Sequence, residues 1–300
     1  MEALAVPFLL TVGALLAVQA GANVQLAAAM AHPVGASALQ LAIGATVLIA
    51  LAAVLDGLGA VAALDDVAAW HLVGGVGSAV YITAGILLFP RLGAVVTVAL
   101  FIAGQMLVSL LLDVGGWLGV AQDRLAPQAA VGAGAVLVGA ALIARAQAGA
   151  DAVRGRWAWA ALGLAAGAAL PLQGAVNAQL RAGLGAPIAA GAWSFVVAAA
   201  AMAAVLALTC PRAARVDRLG RLPWWGWLGG LCGAVYVTSV FLLIPEIGVA
   251  PTIGLTVAGQ QVASVFVDRH GLLRLPRRPV SRARLAGVAA LLAGVALLQA

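Results

Sequence analysis

The sequence predicts an all-α integral membrane protein: ten transmembrane helices arranged as two inverted five-helix repeats. Three observations lead there: an apolar composition, continuous apolar runs of spanning length, and polar residues that recur in order at a spacing of about 155. Apolar residues make up 64% of the 300 positions and charged residues 9%, against roughly 45–50% and 25% in soluble domains. No water-soluble core needs so much hydrophobic surface, so lipid is the solvent for most of the chain. A membrane barrel would show short alternating segments. The runs here are unbroken and about twenty residues long, the length of a spanning helix.

Taken in order, the predicted spans are 4–26, 36–55, 70–89, 94–112 and 128–144, then 157–180, 188–209, 224–244, 249–267 and 282–299. The polar stretch from Arg145 to Arg156 separates two groups of five. It places a first repeat at 1–147, a linker at 148–156 and a second repeat at 157–300. Met1-Glu2 leads directly into the first run with no basic segment before it, so no cleavable signal is expected.

The halves match in their polar residues. Gln19, Asn23, Gln25 and Leu26 recur as Gln173, Asn177, Gln179 and Leu180. Trp70, Gly74-Gly75 and Tyr81-x-Thr83 recur as Trp225, Gly229-Gly230 and Tyr236-x-Thr238. Gly93, Thr97, Gly104-Gln105, Ser109 and Asp113 answer to Gly248, Thr252, Gly259-Gln260, Ser264 and Asp268. An apolar bias gives chance matches of Leu, Ala and Gly. It does not give ordered matches of Gln, Asn, Tyr, Ser and Asp, so the chain is an internal duplication.

Five helices per copy is an odd number, which turns the second copy upside down in the membrane. Charge tests this independently. All sixteen cations are arginines, and loops on the amino-terminal side hold only Arg124 and Arg181, leaving fourteen for the other side. The positive-inside rule makes the second side cytoplasmic and puts both termini outside a cell membrane. Matched loops also differ in sign: Pro90-Arg91 answers to Pro245-Glu246. The net charge of +6 therefore reports topology, and nucleic acid is not an expected partner.

Inverted repeats predict a transporter. Two similar bundles can exchange conformations and open a central site to one side and then the other. Residues four apart share a helix face, so Gln19 with Asn23, and Gln173 with Asn177, each form a polar pair. Gln105, Ser109 and Asp113 form a stripe that Gln260, Ser264 and Asp268 repeat. Each amide alone reads equally well as an interhelical hydrogen bond or as a solute contact. Tyr81 and Tyr236 lie mid-span and need partners for their hydroxyls. The candidate solute contacts are Gln19, Asn23, Tyr81, Gln105, Gln173, Asn177, Tyr236 and Gln260. Asp113 and Asp268 sit at helix ends; they read as caps or as coupling-ion ligands. His32, His71 and His270 fall at helix ends and are expected to be solvated. The paired glycines, including Gly132 and Gly139 with Gly287 and Gly294, predict close helix contact. No metal or cofactor motif and no catalytic constellation is present, so neither an enzyme nor a bound cofactor is expected. A non-transporting scaffold or assembly subunit is the alternative, although the loops are too short to form a soluble recruiting domain.

Leu172-Gln-Gly-Ala-Val-Asn-Ala-Gln-Leu180, Trp225-Gly-Trp-Leu-Gly-Gly230, Pro245-x-x-Gly248, Ala258-Gly-Gln260 and Asp268-x-x-Gly271 together resemble the YdcZ-type family of the drug/metabolite transporter superfamily. The first half is similar in a weaker form. The resemblance implies five-helix units, here fused, that transport small organic molecules; export is the expected direction. A fused chain makes a monomer sufficient and leaves a dimer open. Small multidrug exporters of that superfamily depend on a glutamate in the first helix; the corresponding helices here carry amides. Amides neither hold a proton nor balance a cation, which favours a neutral or zwitterionic solute.

Overall fold

The computed structural model describes residues 2–55, 58–92, 94–122, 127–148, 157–209, 218–275, 277 and 281–298. Ten α-helices follow one another in these residues: α1 (Glu2–Met30), α2 (Pro33–Leu55), α3 (Val76–Leu92), α4 (Ala94–Gly115), α5 (Pro127–Ala148), α6 (Trp157–Leu184), α7 (Pro187–Thr209), α8 (Leu228–Ile247), α9 (Val249–His270) and α10 (Arg282–Leu298). Eight of the described helical segments are long and apolar enough to cross a membrane. The described parts of α5 and α10 hold shorter apolar stretches, Ala130–Leu142 and Leu285–Leu297. The polar linker lies outside the described residues except for Ala148.

Backbone chemistry sets the helix ends. Pro33 and Pro187 open α2 and α7, where a missing N–H costs nothing and a fixed φ suits the first turn. Each third helix starts more tightly than the runs predict, as a 3₁₀ segment at Ala69–Val73 and at Trp224–Trp227. Another 3₁₀ segment, Leu58–Asp66, fills part of the acidic loop after α2. Gly248 joins α8 to α9 at φ 87°, a conformation open to glycine and costly to residues with a Cβ.

The pairing of helices shows the inverted symmetry. α5 packs along α10 and α2 along α7, while α1 packs on α8 and α9, and α6 on α3 and α4. The first helix of each repeat thus docks on the third and fourth helices of the other. Small residues allow the backbones to meet. A Cβ on Gly13 would strike the Thr256 carbonyl, and one on Gly167 the matching Phe101 carbonyl. Gly104 meets Leu164 as Gly259 meets Leu10, and Gly139 meets Gly287 as Gly294 meets Gly132. Each contact reverses direction in its mate, as antiparallel copies require. The face where α1 starts is called face A, and the opposite one face B.

The turn after each fourth helix is also repeated. Gly116 and Gly271 are left-handed (φ 64° and 65°), and each is followed two residues on by a leucine at positive φ, Leu118 (56°) and Leu273 (57°). A left-handed leucine costs about 1–2 kcal/mol, so packing must hold it. Leu273 lies against Gly21 of α1, and Gln25 Nε2 donates to its carbonyl at 3.4 Å. On face A, Gln179 Nε2 donates to the Gly119 carbonyl at 3.1 Å. The repeated Gln25 and Gln179 therefore tie each first helix to the turn of the opposite repeat.

The symmetry is not complete. α6 packs on α8 within its own repeat, whereas α1 and α3 make no comparable contact. In the span Trp224–Ile247, 67% of the most apolar window is buried, against 39% in Ala69–Leu88. The second copy of the third helix is the enclosed one.

Candidate functional site

The amides of the first helices meet the glycine-rich starts of the opposite third helices. On α6, Gln173 Oε1 accepts from Ser78 Oγ at 2.9 Å, and Asn177 Nδ2 donates to Ser194 Oγ of α7 at 2.9 Å. Asn177 Oδ1 faces Gly74 where a Cβ would stand. That oxygen is buried without a hydrogen-bond partner, leaving a weak Cα–H···O contact as its compensation. The other copy repeats the placement and loses the bonds. Asn23 Oδ1 faces Gly229 and Gln19 Nε2 faces Gly233. Gly233 takes the position of Ser78, so Gln19 lacks the hydroxyl that Gln173 uses. Gln40 of α2, which corresponds to Ser194, donates weakly to the Gly229 carbonyl at 3.4 Å instead. The Asn23 oxygen is buried and unpartnered like its mate. One amide set is bonded and the other is not.

Tyr81 is half-buried on α3 and Tyr236 is buried on α8. Tyr81 packs against Phe101 of α4, with ring centroids 4.4 Å apart and the planes tilted by 44°. The residue matching Phe101 is Thr256, whose hydroxyl donates to the Ile253 carbonyl at 2.9 Å. Gln105 is only 4% exposed, and Gln260 is half-buried; no described residue hydrogen-bonds either side chain. On α4, Gln105, Ser109 and Asp113 are all buried, and Ser109 Oγ is sealed without a partner, while Ser264 Oγ of α9 turns back to the Gln260 carbonyl at 2.7 Å. The eight candidate contacts therefore fall into two amide clusters towards opposite faces, one tyrosine on each third helix, and two fourth-helix glutamines.

Asp113 does something more specific than end its own helix. Its carboxylate accepts the backbone N–H of Val249 at 2.7 Å and of Ala250 at 2.6 Å. It caps α9, the fourth helix of the other repeat, where the positive end of the helix dipole favours an anion. Symmetry points Asp268 at the start of α4, where residue 93 lies outside the described set. Of the histidines, His270 is exposed as expected, but His32 is buried and its Nδ1 accepts the Gly35 N–H at 3.0 Å. His32 thereby caps α2. The described residues hold no cluster of three or more His, Cys, Asp or Glu able to bind a metal.

At face A a cavity of about 640 Å³ opens between the end of α6, the end of α8 and the turn after α4. Arg181 and Glu246 line it with Gln179. In the sequence Arg181 stands as a topology charge and Glu246 as the opposite-sign mate of Arg91. The usable signal was there: both positions break the repeat, Arg181 against Ala27 and Glu246 against Arg91.

Comparison with known proteins fits this architecture. A family model described as "Putative inner membrane exporter, YdcZ" matches residues 4–142 and again 158–297. No curated protein matches the chain. The two matched segments coincide with the two sets of five helices and cover most of the chain, so this multi-pass membrane protein belongs to the YdcZ family of the drug/metabolite transporters.

Proposed function

We propose that the protein exports small organic solutes by alternating access between the repeats 1–147 and 157–300. The observation that carries this reading is the reciprocal docking of each first helix on the third and fourth helices of the other repeat, packed unequally in the two halves. Two near-equivalent arrangements of one architecture are what exchange between inward-open and outward-open states requires. The solute site lies among Gln19, Asn23, Tyr81, Gln105 and their mates Gln173, Asn177, Tyr236 and Gln260. Unbonded amides in a low-dielectric interior favour a solute that can hydrogen-bond to them. A monomer is sufficient for the cycle.

Face A is the outer side, with both termini there. Asp113 bridges the repeats, and it and its mate Asp268 are the carboxylates through which a coupling ion would act. Purified protein in liposomes, with a reporter fused at Ala300 in cells, tests these points. We expect concentration-driven flux of a small solute and reporter activity only outside the cytoplasm. A protein that binds no solute and supports no flux is instead a scaffold, and cytoplasmic reporter activity reverses the orientation. In Asp113→Asn, gradient-driven transport should fall at least tenfold while solute exchange persists; equal loss of both assigns Asp113 to helix capping alone.

A further inference from the structure

We propose that the face A cavity is a binding site for a small zwitterion of the α-amino-acid type, an inference that rests on the transporter reading and names its substrate class. The cavity, about 640 Å³, is within the range of small-molecule sites. It is lined mainly by small or apolar residues such as Gly119, Ala178 and Ile244, and its charged groups among the described residues are one cation, Arg181, and one anion, Glu246.

These two groups line one cavity without forming an ion pair with each other. Arg181 Nη1 donates to the Leu242 carbonyl of α8 at 3.3 Å, which bridges α6 to α8 and leaves further guanidinium donors available. Glu246 stands one helical turn beyond Leu242, so it rises on the same side of α8. Neither forms an ion pair with a described residue. A ligand with a carboxylate and an ammonium group satisfies both at once; a singly charged one leaves one of them unmatched. Gln179 borders the same space, its amide nitrogen already committed to Gly119 and its amide oxygen able to accept from an ammonium group.

The matching place at face B lacks this pair. Glu246 is replaced there by Arg91, whose Nη1 donates to the Leu87 carbonyl at 2.7 Å and whose guanidinium lies 4.4 Å from the Trp159 ring centroid. Arg181 is replaced by Ala27. Leu87 and Leu242 are equivalent residues, so the repeat keeps an arginine on this carbonyl at both faces. At face A the carboxylate of Glu246 lines the cavity with that arginine.

The test uses the full chain in lipid nanodiscs and a panel of the twenty common amino acids, read by thermal shift and calorimetry. At least one should bind, and its amide (no carboxylate) and its 2-oxo acid (no ammonium) should bind about tenfold or more weakly, the scale of one charge-assisted contact. Arg181→Met should erase the preference over the amide, and Glu246→Gln the preference over the 2-oxo acid. Glu246 is exposed at a helix end, so its variant tests the site even where Arg181→Met does not fold. No binding across the panel, equal binding of the three forms, or a Glu246→Gln variant with unchanged preference overturns the site. Liposome flux separates the two readings. Binding without flux overturns the transporter and leaves the site, while flux with an unchanged KM in Glu246→Gln overturns the site and leaves the transporter.

Discussion

Asn177 and Asn23 occupy the same place in two copies of one fold, and only one of them is bonded. Asn177 holds Ser194, and its neighbour Gln173 holds Ser78. Asn23 and Gln19 face Gly229 and Gly233, which offer a surface and no hydroxyl. An amide repeated in a duplicated membrane protein is thus not one device used twice. In the second copy it also holds the bundle together in this state, each bond contributing about 0.6–2 kcal/mol. In the first copy it is left available, beside the α1–α3 pair that does not close.

The widest contrast comes from replacing each asparagine with leucine. We expect Asn23→Leu to abolish flux while thermal unfolding moves little, and Asn177→Leu to lower stability by about 1–3 kcal/mol through the Ser194 hydroxyl left unpaired. Equal behaviour in both assays would erase the distinction. The backbone contacts below the amides supply a control. A Cβ on Gly75 would strike the Ser194 carbonyl, and one on Gly230 the Gln40 carbonyl. Alanine at either position should therefore destabilise by a similar amount, about 1–3 kcal/mol, seen as matched losses of Tm. The smallest effect is the most pointed. Ser78→Ala should cost about 1 kcal/mol by removing the bond to Gln173, while Gly233→Ser should supply Gln19 with its missing hydroxyl and slow transport. Faster flux in Gly233→Ser would mean that the first-copy amides are not part of the pathway.

Much of the molecule was legible in the sequence because lipid imposes length and continuity on each span. The repeat was legible because Gln, Asn and Asp are too costly in hydrocarbon to recur by chance. The exchange of first helices between repeats was not. It depends on which glycine meets which carbonyl, and glycine occurs 37 times in this chain, so its positions alone do not choose partners. For the same reason Asp113 read as the end of its own helix, although its acceptors are used by α9. The tight 3₁₀ starts of the third helices were hidden because an apolar run looks the same for either winding. Arg181 and Glu246 were passed over because charge near a membrane face usually records topology, and only their placement in one cavity suggests another role.

The exchanged first helices also bear on how the chain is made. α1 leaves the ribosome first, yet the helices that cover Gln19 and Asn23 start at Leu228 and Val249. Until those emerge, the early amides face lipid or whatever insertion machinery shields them. α6, by contrast, finds α3 and α4 already in place. Residues 1–148 expressed alone should therefore be short-lived in the membrane, and coexpression with 157–300 should rescue them. Synthesis order gives the two halves different histories: the second half folds onto a waiting partner, and the first must wait for one.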